Sequence, residues 1–305
     1  MFKRIVLVTG APRSGTTPVG HLLGMLPKAA TLYEPMGLTG DKSIKLRFPI
    51  PGESDFSLSD FSSFVTRMQK LDLSFKSQRR PSHKGMSGFA ARVFGSRSLL
   101  SYYQAKLLPY RRDTLIWKDP HAIFCSLSAA KHNIKTVVSM RSPYAHAASF
   151  KRLGWVSQID NIYSRYCSTF GEIDGFSEWH RKIGSTPIGS AVLLWHLIHK
   201  PFVSMSSDLR SSIYFHNMEK VAADEITAYS EVFNWLGEDI PKRVLSEINN
   251  RNKSGAGGIP QENKVHNFNR TAAQANSYWK DILNKEEVKI VDDLNGSLWS
   301  EICNS

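Results

Sequence analysis

The sequence predicts an α/β fold in a single domain over residues 1–305, with a central parallel sheet flanked by helices. Three observations predict it. Five short runs are apolar without alternation, as strands covered on both faces are. Segments with apolar residues at helical spacing lie between and after them. The first strand passes through a glycine-bounded turn directly into a helix, and strands alternating with helices imply a parallel sheet.

Arg4–Thr9 (RIVLVT) is the first strand. Gly10–Ala11–Pro12–Arg13–Ser14–Gly15 then turns the chain. Val19, Leu22, Leu23 and Leu26 share one face of the helix that follows, with Pro18 in its first turn. Ala30–Tyr33 (ATLY) is the second strand, Thr114–Trp117 (TLIW) the third and Lys135–Met140 (KTVVSM) the fourth, with Pro143 opening a helix behind it. Ser212–Phe215 (SIYF) is the fifth. Ile226, Tyr229, Phe233 and Leu236 make a helix face that Gly237 can stop. Tyr278, Trp279, Ile282 and Leu283 make another, and Asn284 with Glu287 forms a cap pair ahead of Val288, Val291 and Leu294. Two stretches fit this pattern poorly. Residues 37–100 mix Gly, Ser, Phe and basic residues, including RRPSHKG at Arg79–Gly85, and residues 253–270 read KSGAGGIPQENKVHNFNR. Each reads either as a surface loop or as an insertion that closes over a substrate as a lid. There is no internal repeat and no domain linker.

Hydrophobic residues make up 41% of the chain, enough for a sizeable core, which excludes global disorder. The formal net charge of +12 suits an anionic partner: nucleic acid, a membrane surface or acidic small molecules. A solvated basic surface is the plain alternative. The 3 cysteines, Cys125, Cys167 and Cys303, form no CxxC, and their odd number speaks against a disulfide framework. The apolar run Ile5 to Thr9 is too short for a signal-peptide core or a membrane span, and the first strand starts almost at Met1. The expectation is a soluble cytoplasmic protein with nothing ahead of the fold.

In an open parallel sheet, ligands bind beyond the carboxyl ends of the strands. The residues in those places are Gly10–Thr17, Glu34 and Pro35, Lys118 to His121, Arg141 to Pro143, and His216 with Asn217. One polar residue at a strand end says little; a glutamate, a lysine and an arginine converging on an anion-binding loop say more. Gly10 and Gly15 let the backbone turn and approach an anion closely. The amides and dipole of the helix N-terminus attract negative charge. Thr16 and Thr17 add hydroxyls, and Arg13 adds a fork suited to two anionic oxygens. A nucleotide-hydrolysing loop would carry Lys and then Ser or Thr where Thr16 and Thr17 stand, so this loop has the cradle without the lysine. Arg141 lies at a strand end and Ser149 nearly two helical turns past Pro143, so one rigid group can touch both. His196 and His199 have a helical metal-ligand spacing, but no third ligand is near and packing is the better reading. His121 either approaches the acceptor or serves structure. Phe48, Phe56, Phe61 and Phe64 either stack on sugar rings or pack a core or lid.

Together these residues resemble the sulfotransferases that use 3′-phosphoadenosine-5′-phosphosulfate (PAPS). In that family a G-x-P-R-S-G-T-T loop grips the 5′-phosphosulfate, which implies donor-binding roles for Pro12, Arg13, Ser14, Gly15, Thr16 and Thr17. The missing lysine fits a donor without a γ-phosphate. Arg141 and Ser149 match the family's 3′-phosphate pair at its usual spacing. LYEP at Leu32–Pro35 is similar to the F-E-P segment of Golgi carbohydrate sulfotransferases, whose glutamate is the proposed base. WKDP at Trp117–Pro120 is similar to the K-D-P of tyrosylprotein sulfotransferases and many bacterial relatives. SIYFHNMEKVAAD, Ser212 to Asp224, occupies the place of an R-Y-E-D-L segment, with HNME departing from it and Glu219 left as an anchor. Asn269 to Val291 resembles the family's C-terminal R…W-K-x-x-L segment. The cytosolic family's R-K-G triplet is absent; Arg270 or Lys264 could complete the 3′-phosphate site. The catalytic histidine of the cytosolic enzymes has no clear counterpart. The motifs keep the family's order over nearly the whole chain and come closest to carbohydrate sulfotransferases of Golgi and bacterial type. The resemblance implies a P-loop, nucleotide-kinase-like sulfotransferase architecture.

It also implies a reaction: in-line attack of an acceptor hydroxyl on the sulfur of PAPS, releasing adenosine 3′,5′-bisphosphate. Glu34 would accept the proton, while Lys118, Arg13 and the loop amides would stabilise the charge on the leaving phosphate. No metal is required. The implied partner is a carbohydrate or glycolipid acceptor, not nucleic acid; a bacterial cytoplasmic enzyme in peripheral contact with the inner membrane fits. Two other classes compete. An ATP-dependent kinase with a degenerate loop would use Asp119, the one strand-end aspartate, for metal. A non-enzymatic polyanion binder would use the charge alone.

Overall fold

Five strands form one parallel sheet: β1 (Arg4–Thr9), β2 (Ala29–Tyr33), β3 (Thr114–Lys118), β4 (Lys135–Met140) and β5 (Ile213–Asn217). Their order is β2–β3–β1–β4–β5 in this computed structural model, which describes residues 2–76, 96–107, 112–253 and 272–304. The helices are α1 (Thr16–Leu23), α2 (Leu58–Gln69), α3 (Arg97–Leu107), α4 (Ser126–Lys131), α5 (Pro143–Leu153), α6 (Ile159–Phe170), α7 (Phe176–Ile183) and α8 (Pro187–Val203). They continue with α9 (Ser207–Ser211), α10 (Met218–Ala223), α11 (Glu225–Trp235), α12 (Lys242–Lys253), α13 (Ala272–Ser277), α14 (Trp279–Ile282) and α15 (Lys285–Asn304). The predicted α/β class and all five strands are present. β1 and β4 have the predicted bounds; β3 runs one residue further, to Lys118, and β5 begins at Ile213 and reaches Asn217. The inner strands β1, β3 and β4 are buried almost throughout, whereas the edge strands β2 and β5 are only partly so. Continuous apolar runs therefore mark the strands covered on both faces.

The chain groups into two compact units. The first is Met1–Gly10, Thr16–Val138 and Ser211–Tyr214; the second is Ala11–Gly15, Ser139–Arg210 and Phe215–Ser305. In the first unit Trp117 of β3 is fully buried and packs on Phe64 and Phe61 of α2, with ring centroids 5.7 and 6.5 Å away. Phe56 meets Phe61 edge-on at 6.3 Å. Phe48, Phe56, Phe61 and Phe64 are all buried, so they are packing residues and form no sugar platform. Burying one such ring contributes about 1.5–3 kcal/mol. α2 starts with a reciprocal cap in which Ser57 and Asp60 each accept the other's backbone N–H. The stretch ahead of it, expected as part of a lid insertion, is tied down at Asp41. That buried carboxylate accepts from Arg67 Nη1 and Nη2 at 3.2 and 3.0 Å and from Ser74 N at 2.7 Å. The second predicted insertion, residues 253–270, lies outside the described residues apart from Lys253.

In the second unit α8 is buried from Ile188 through His199, a core helix apolar on every side. His196 and His199 belong to this packing. His199 Nδ1 bonds Trp195 O at 2.7 Å while its ring stacks 4.0 Å from the indole, and His196 Nδ1 bonds Asn295 Oδ1 of α15 at 3.0 Å. α15 begins with the predicted cap pair: Asn284 N donates to Glu287 Oε2 and Glu287 N to Asn284 Oδ1, both at 2.9 Å. α11 ends at Trp235, and Gly237 follows in the left-handed region at φ +79°.

Candidate active site

The glycine-bounded loop leads from β1 into α1. Arg13 sits at φ +72° and Gly15 at φ +93°. A left-handed arginine costs about 1 kcal/mol or more, and such strain collects at functional sites. Gly15 also lies close to a neighbour: a Cβ there would come within 3.1 Å of Met218 Sδ and Cε, the flexible end of that side chain. Ser14 N closes a turn on Ala11 O at 3.0 Å, and Ser14 O accepts from Ser139 Oγ at 2.6 Å. Ser14 Oγ is buried with no hydrogen-bond partner among the described residues. A buried hydroxyl left unsatisfied costs about 1–3 kcal/mol, so it fits a seat that a ligand oxygen completes. Thr16 and Thr17 are the first residues of α1, where backbone N–H groups lack intrahelical acceptors.

Within the first unit, the ends of β2 and β3 bring Glu34 and Lys118 together. Tyr33 and Val8 flank Lys118 in register, and Glu34 N donates to Lys118 O at 2.7 Å. Lys118 Nζ pairs with Glu34 Oε1 at 2.6 Å; the lysine side chain is 3% exposed and the glutamate 40%. The lysine stem reaches this place by crossing α1 at Gly20, where a Cβ would come within 2.5 Å of Lys118 Cγ. Glu34 holds φ +48° and its carbonyl closes a turn with Gly37 N at 2.9 Å. Burial acts to raise the Glu34 pKa, but the Lys118 charge and hydrogen bond, with His121 and Arg97, bring it below the ordinary value. The carboxylate is thus ionised, fixed on one oxygen and open to solvent, able to take a proton from a bound hydroxyl during reaction.

Asp119 is fully buried, and its oxygens accept from Met36 N at 2.6 Å and His121 N at 2.9 Å. Burial, then the nearby Glu34 charge, push its pKa up to about 7. It caps the turn Pro120–Cys125. Each oxygen holds a backbone N–H and the side chain is fully buried, so Asp119 serves the turn, and nothing among the described residues gives it the metal-binding role of the kinase reading. His121 is held neutral: burial lowers its pKa to about 4, with Arg47, Lys118 and Lys76 adding to the shift against Glu34. Among the described residues, no group of three His, Cys, Asp or Glu side chains is placed to hold a metal ion.

Within the second unit, Arg13 Nε donates to Ser149 Oγ at 3.2 Å and Arg141 Nη1 to Arg13 O at 3.0 Å. Arg141 leaves β4 buried, and its own carbonyl accepts from Trp195 Nε1 at 3.0 Å. Ser142 caps α5 at Ala145 N with Pro143 in the first turn, as the sequence predicts, which puts Ser149 on the helix. Burial, together with the Arg141 and Arg152 charges, lowers the Arg13 pKa to about 10, with Tyr278 opposing. Arg13, Arg141, Arg152, Ser149 and Tyr278 therefore form one cationic cluster.

Three of its neighbours went unassigned in the sequence. Arg152 lies one helical turn after Ser149, a spacing that places it on the same face. Trp155 follows the left-handed Gly154 that ends α5 and lies under the Arg13 guanidinium at 5.9 Å. Tyr278 lies 5.4 Å from the Arg141 guanidinium; its helical spacing with Ile282 marked only packing, and no local signal links it to residue 141. Arg270 and Lys264 lie outside the described residues. Glu219 N donates to the Asn217 cap at 2.8 Å, and burial raises the pKa of its side chain.

No protein-family profile matches the chain, and no curated protein matches it. Among solved structures, the chain is similar to "Sulfotransferase Domain from the Synechococcus PCC 7002 Olefin Synthase" at 14% identity and a TM-score of 0.44, covering 96% of this chain and 94% of that one. It is also similar to "Sulfotransferase Domain from the Curacin Biosynthetic Pathway" at 14% identity and a TM-score of 0.43, covering 97% and 98%. Likeness of this degree runs the length of the chain but is too remote to assign a reaction. No helix among the described residues is long and apolar enough to cross a membrane.

Proposed function

We propose that the chain transfers the sulfuryl group of PAPS to a hydroxyl of a carbohydrate acceptor, a polysaccharide or a glycolipid. The observation that carries this reading is the cluster in which Arg13 of the loop bonds Ser149 at 3.2 Å and receives Arg141 on its carbonyl at 3.0 Å. Residues far apart in sequence meet as a buried cationic seat continuous along the chain with the anion-binding loop. That is what a nucleotide with phosphates on both sides of its ribose needs.

PAPS supplies the sulfuryl group and leaves as adenosine 3′,5′-bisphosphate. Arg141 and Ser149 would hold the 3′-phosphate. The loop amides, Ser14 Oγ and the hydroxyls of Thr16 and Thr17 would hold the 5′ side. Glu34 would take the proton of the acceptor hydroxyl as its oxygen bonds to sulfur, while the bond from sulfur to the 5′-phosphate oxygen breaks and that oxygen keeps the electron pair. Lys118 and Arg13 would neutralise the charge growing there. Because the Glu34 pKa is depressed, the residue works by placement during attack and not by ground-state basicity. The carbohydrate class rests on the Leu32–Pro35 segment, the 40% exposure of the Glu34 side chain leaving room for a bulky acceptor. The engaged carboxylate of Asp119 speaks against a metal-dependent kinase. Arg141, 8% exposed, is poorly placed for a polyanion-binding surface.

Calorimetry with adenosine 3′,5′-bisphosphate tests the seat, and incubation with labelled PAPS and a panel of glycans and glycolipids tests transfer. Well-folded protein that gives no heat with the bisphosphate would remove the proposal. Binding followed by transfer only to non-carbohydrate hydroxyls would keep the donor and discard the acceptor class.

A further inference from the structure

The two side chains assigned above to the 3′-phosphate are already engaged by a tyrosine. The Tyr278 side chain hydrogen-bonds both Ser149 and Arg141, and the Arg141 guanidinium lies 5.4 Å from its ring centre. Ser149 Oγ at the same time receives Arg13 Nε at 3.2 Å. A phenol oxygen bonded by a guanidinium and a serine hydroxyl takes donors that a phosphate oxygen would take, and a dianionic phosphate takes them more strongly. Burial acts to raise the pKa of this phenol, yet Arg141, the bonds from Ser149 and Arg141, and Arg152 hold it below its ordinary value.

The backbone around Tyr278 is pinned to α5. Trp279 stacks on Tyr144 with centroids 4.9 Å apart and planes at 27°, and Lys151 Nζ donates to Ile282 O at 2.9 Å. With the segment held in place, vacating the seat falls to rotation of the Tyr278 side chain alone. We propose that Tyr278 is a resident stand-in for the 3′-phosphate, whose hydroxyl occupies a phosphate-oxygen position on Arg141 and Ser149 until a 3′-phosphorylated nucleotide displaces it. A nucleotide with a plain 3′-hydroxyl brings no charge with which to displace the phenol and binds with the tyrosine still seated, so the competition falls on the bisphosphate alone. This inference rests on the PAPS reading.

The test is calorimetry on the full chain with two nucleotides, adenosine 3′,5′-bisphosphate and adenosine 5′-phosphate, for wild type, Tyr278→Phe and Tyr278→Leu. Removing the competing hydroxyl should tighten bisphosphate binding about tenfold, the worth of one or two net hydrogen bonds, and leave adenosine 5′-phosphate unchanged. Unchanged or weaker bisphosphate binding in the variants overturns the proposal, and so does equal tightening for both nucleotides. If Tyr278→Phe disturbs folding, Tyr278→Leu carries the same expectation. Wild type that binds the bisphosphate while the variants gain nothing discards only the role of Tyr278; wild type that does not bind it discards the PAPS reading as well.

Discussion

Gly20→Ala sets two physical effects against each other. In an exposed helix, replacing glycine by alanine stabilises by about 1 kcal/mol. Here the added Cβ would lie 2.5 Å from Lys118 Cγ and 2.9 Å from Lys118 Cβ, where ordinary contacts lie at 3.4–4 Å. Both atoms are at the root of the lysine, so the clash cannot be relieved at the flexible tip, and helix or strand must move by roughly 1 Å. Overpacking of this kind costs about 1–3 kcal/mol, so the variant should be as stable as wild type or up to about 2 kcal/mol less stable. The same displacement pulls Nζ off Glu34 Oε1, now 2.6 Å away. A misplacement of about 1 Å at a reacting group costs on the order of 100-fold in turnover. Urea denaturation and initial rates of transfer from labelled PAPS read the two halves separately. A variant that is about 1 kcal/mol more stable and fully active would refute the reasoning, because it would mean that the lysine stem does not lie across α1.

Glu34→Gln should lower turnover by about 10²–10⁴-fold while adenosine 3′,5′-bisphosphate binds as in wild type; equal losses in both, measured by rates and calorimetry, would make Glu34 a binding residue. Arg141→Lys should weaken the bisphosphate by roughly 10- to 100-fold and leave adenosine 5′-phosphate little changed, since a lysine cannot reproduce the fork. Acid should unfold the protein through its buried histidines. Burial lowers the pKa of His146 to about 3 and of His199 and His216 to about 4, against an ordinary 6.5. Between those values the unfolded chain binds more protons, so stability is complete above about pH 6.5 and is lost as pH falls toward 4, by about 3 kcal/mol per histidine. Asp119, raised from 3.8 to about 7, works the other way over that whole range and offsets about one of the histidines. Urea midpoints that stay constant from pH 7 to pH 5 would contradict this account.

The strands were legible because burial on two faces leaves an apolar run that needs no tertiary information, and Pro143, Gly237 and the Asn284–Glu287 pair mark their helix ends by local chemistry. The loop was legible as a glycine-bounded turn between a strand and a helix; the Arg141–Ser149 spacing is weak by itself and was singled out only through a family resemblance. Tyr278 was not: its partners stand more than a hundred residues away, and in sequence its neighbours advertise only a helix face. Gly20 was hidden for the same reason, since its importance comes from the lysine that crosses it. The phenylalanines after residue 47 could be read either as a sugar platform or as packing, because their stretch has little periodicity; Asp41 and its donors hold that stretch down and the rings are buried, which decides for packing.

Glu287 caps α15 and also grips Lys151 at 2.7 Å, and five residues later Asp292 accepts the Tyr144 hydroxyl at 2.7 Å. The helix that carries Ser149 is thus buttoned to a segment that follows it by more than a hundred residues. Cutting either tie, with Glu287→Ala or Asp292→Ala, should loosen the seat from a distance without touching any of its own side chains.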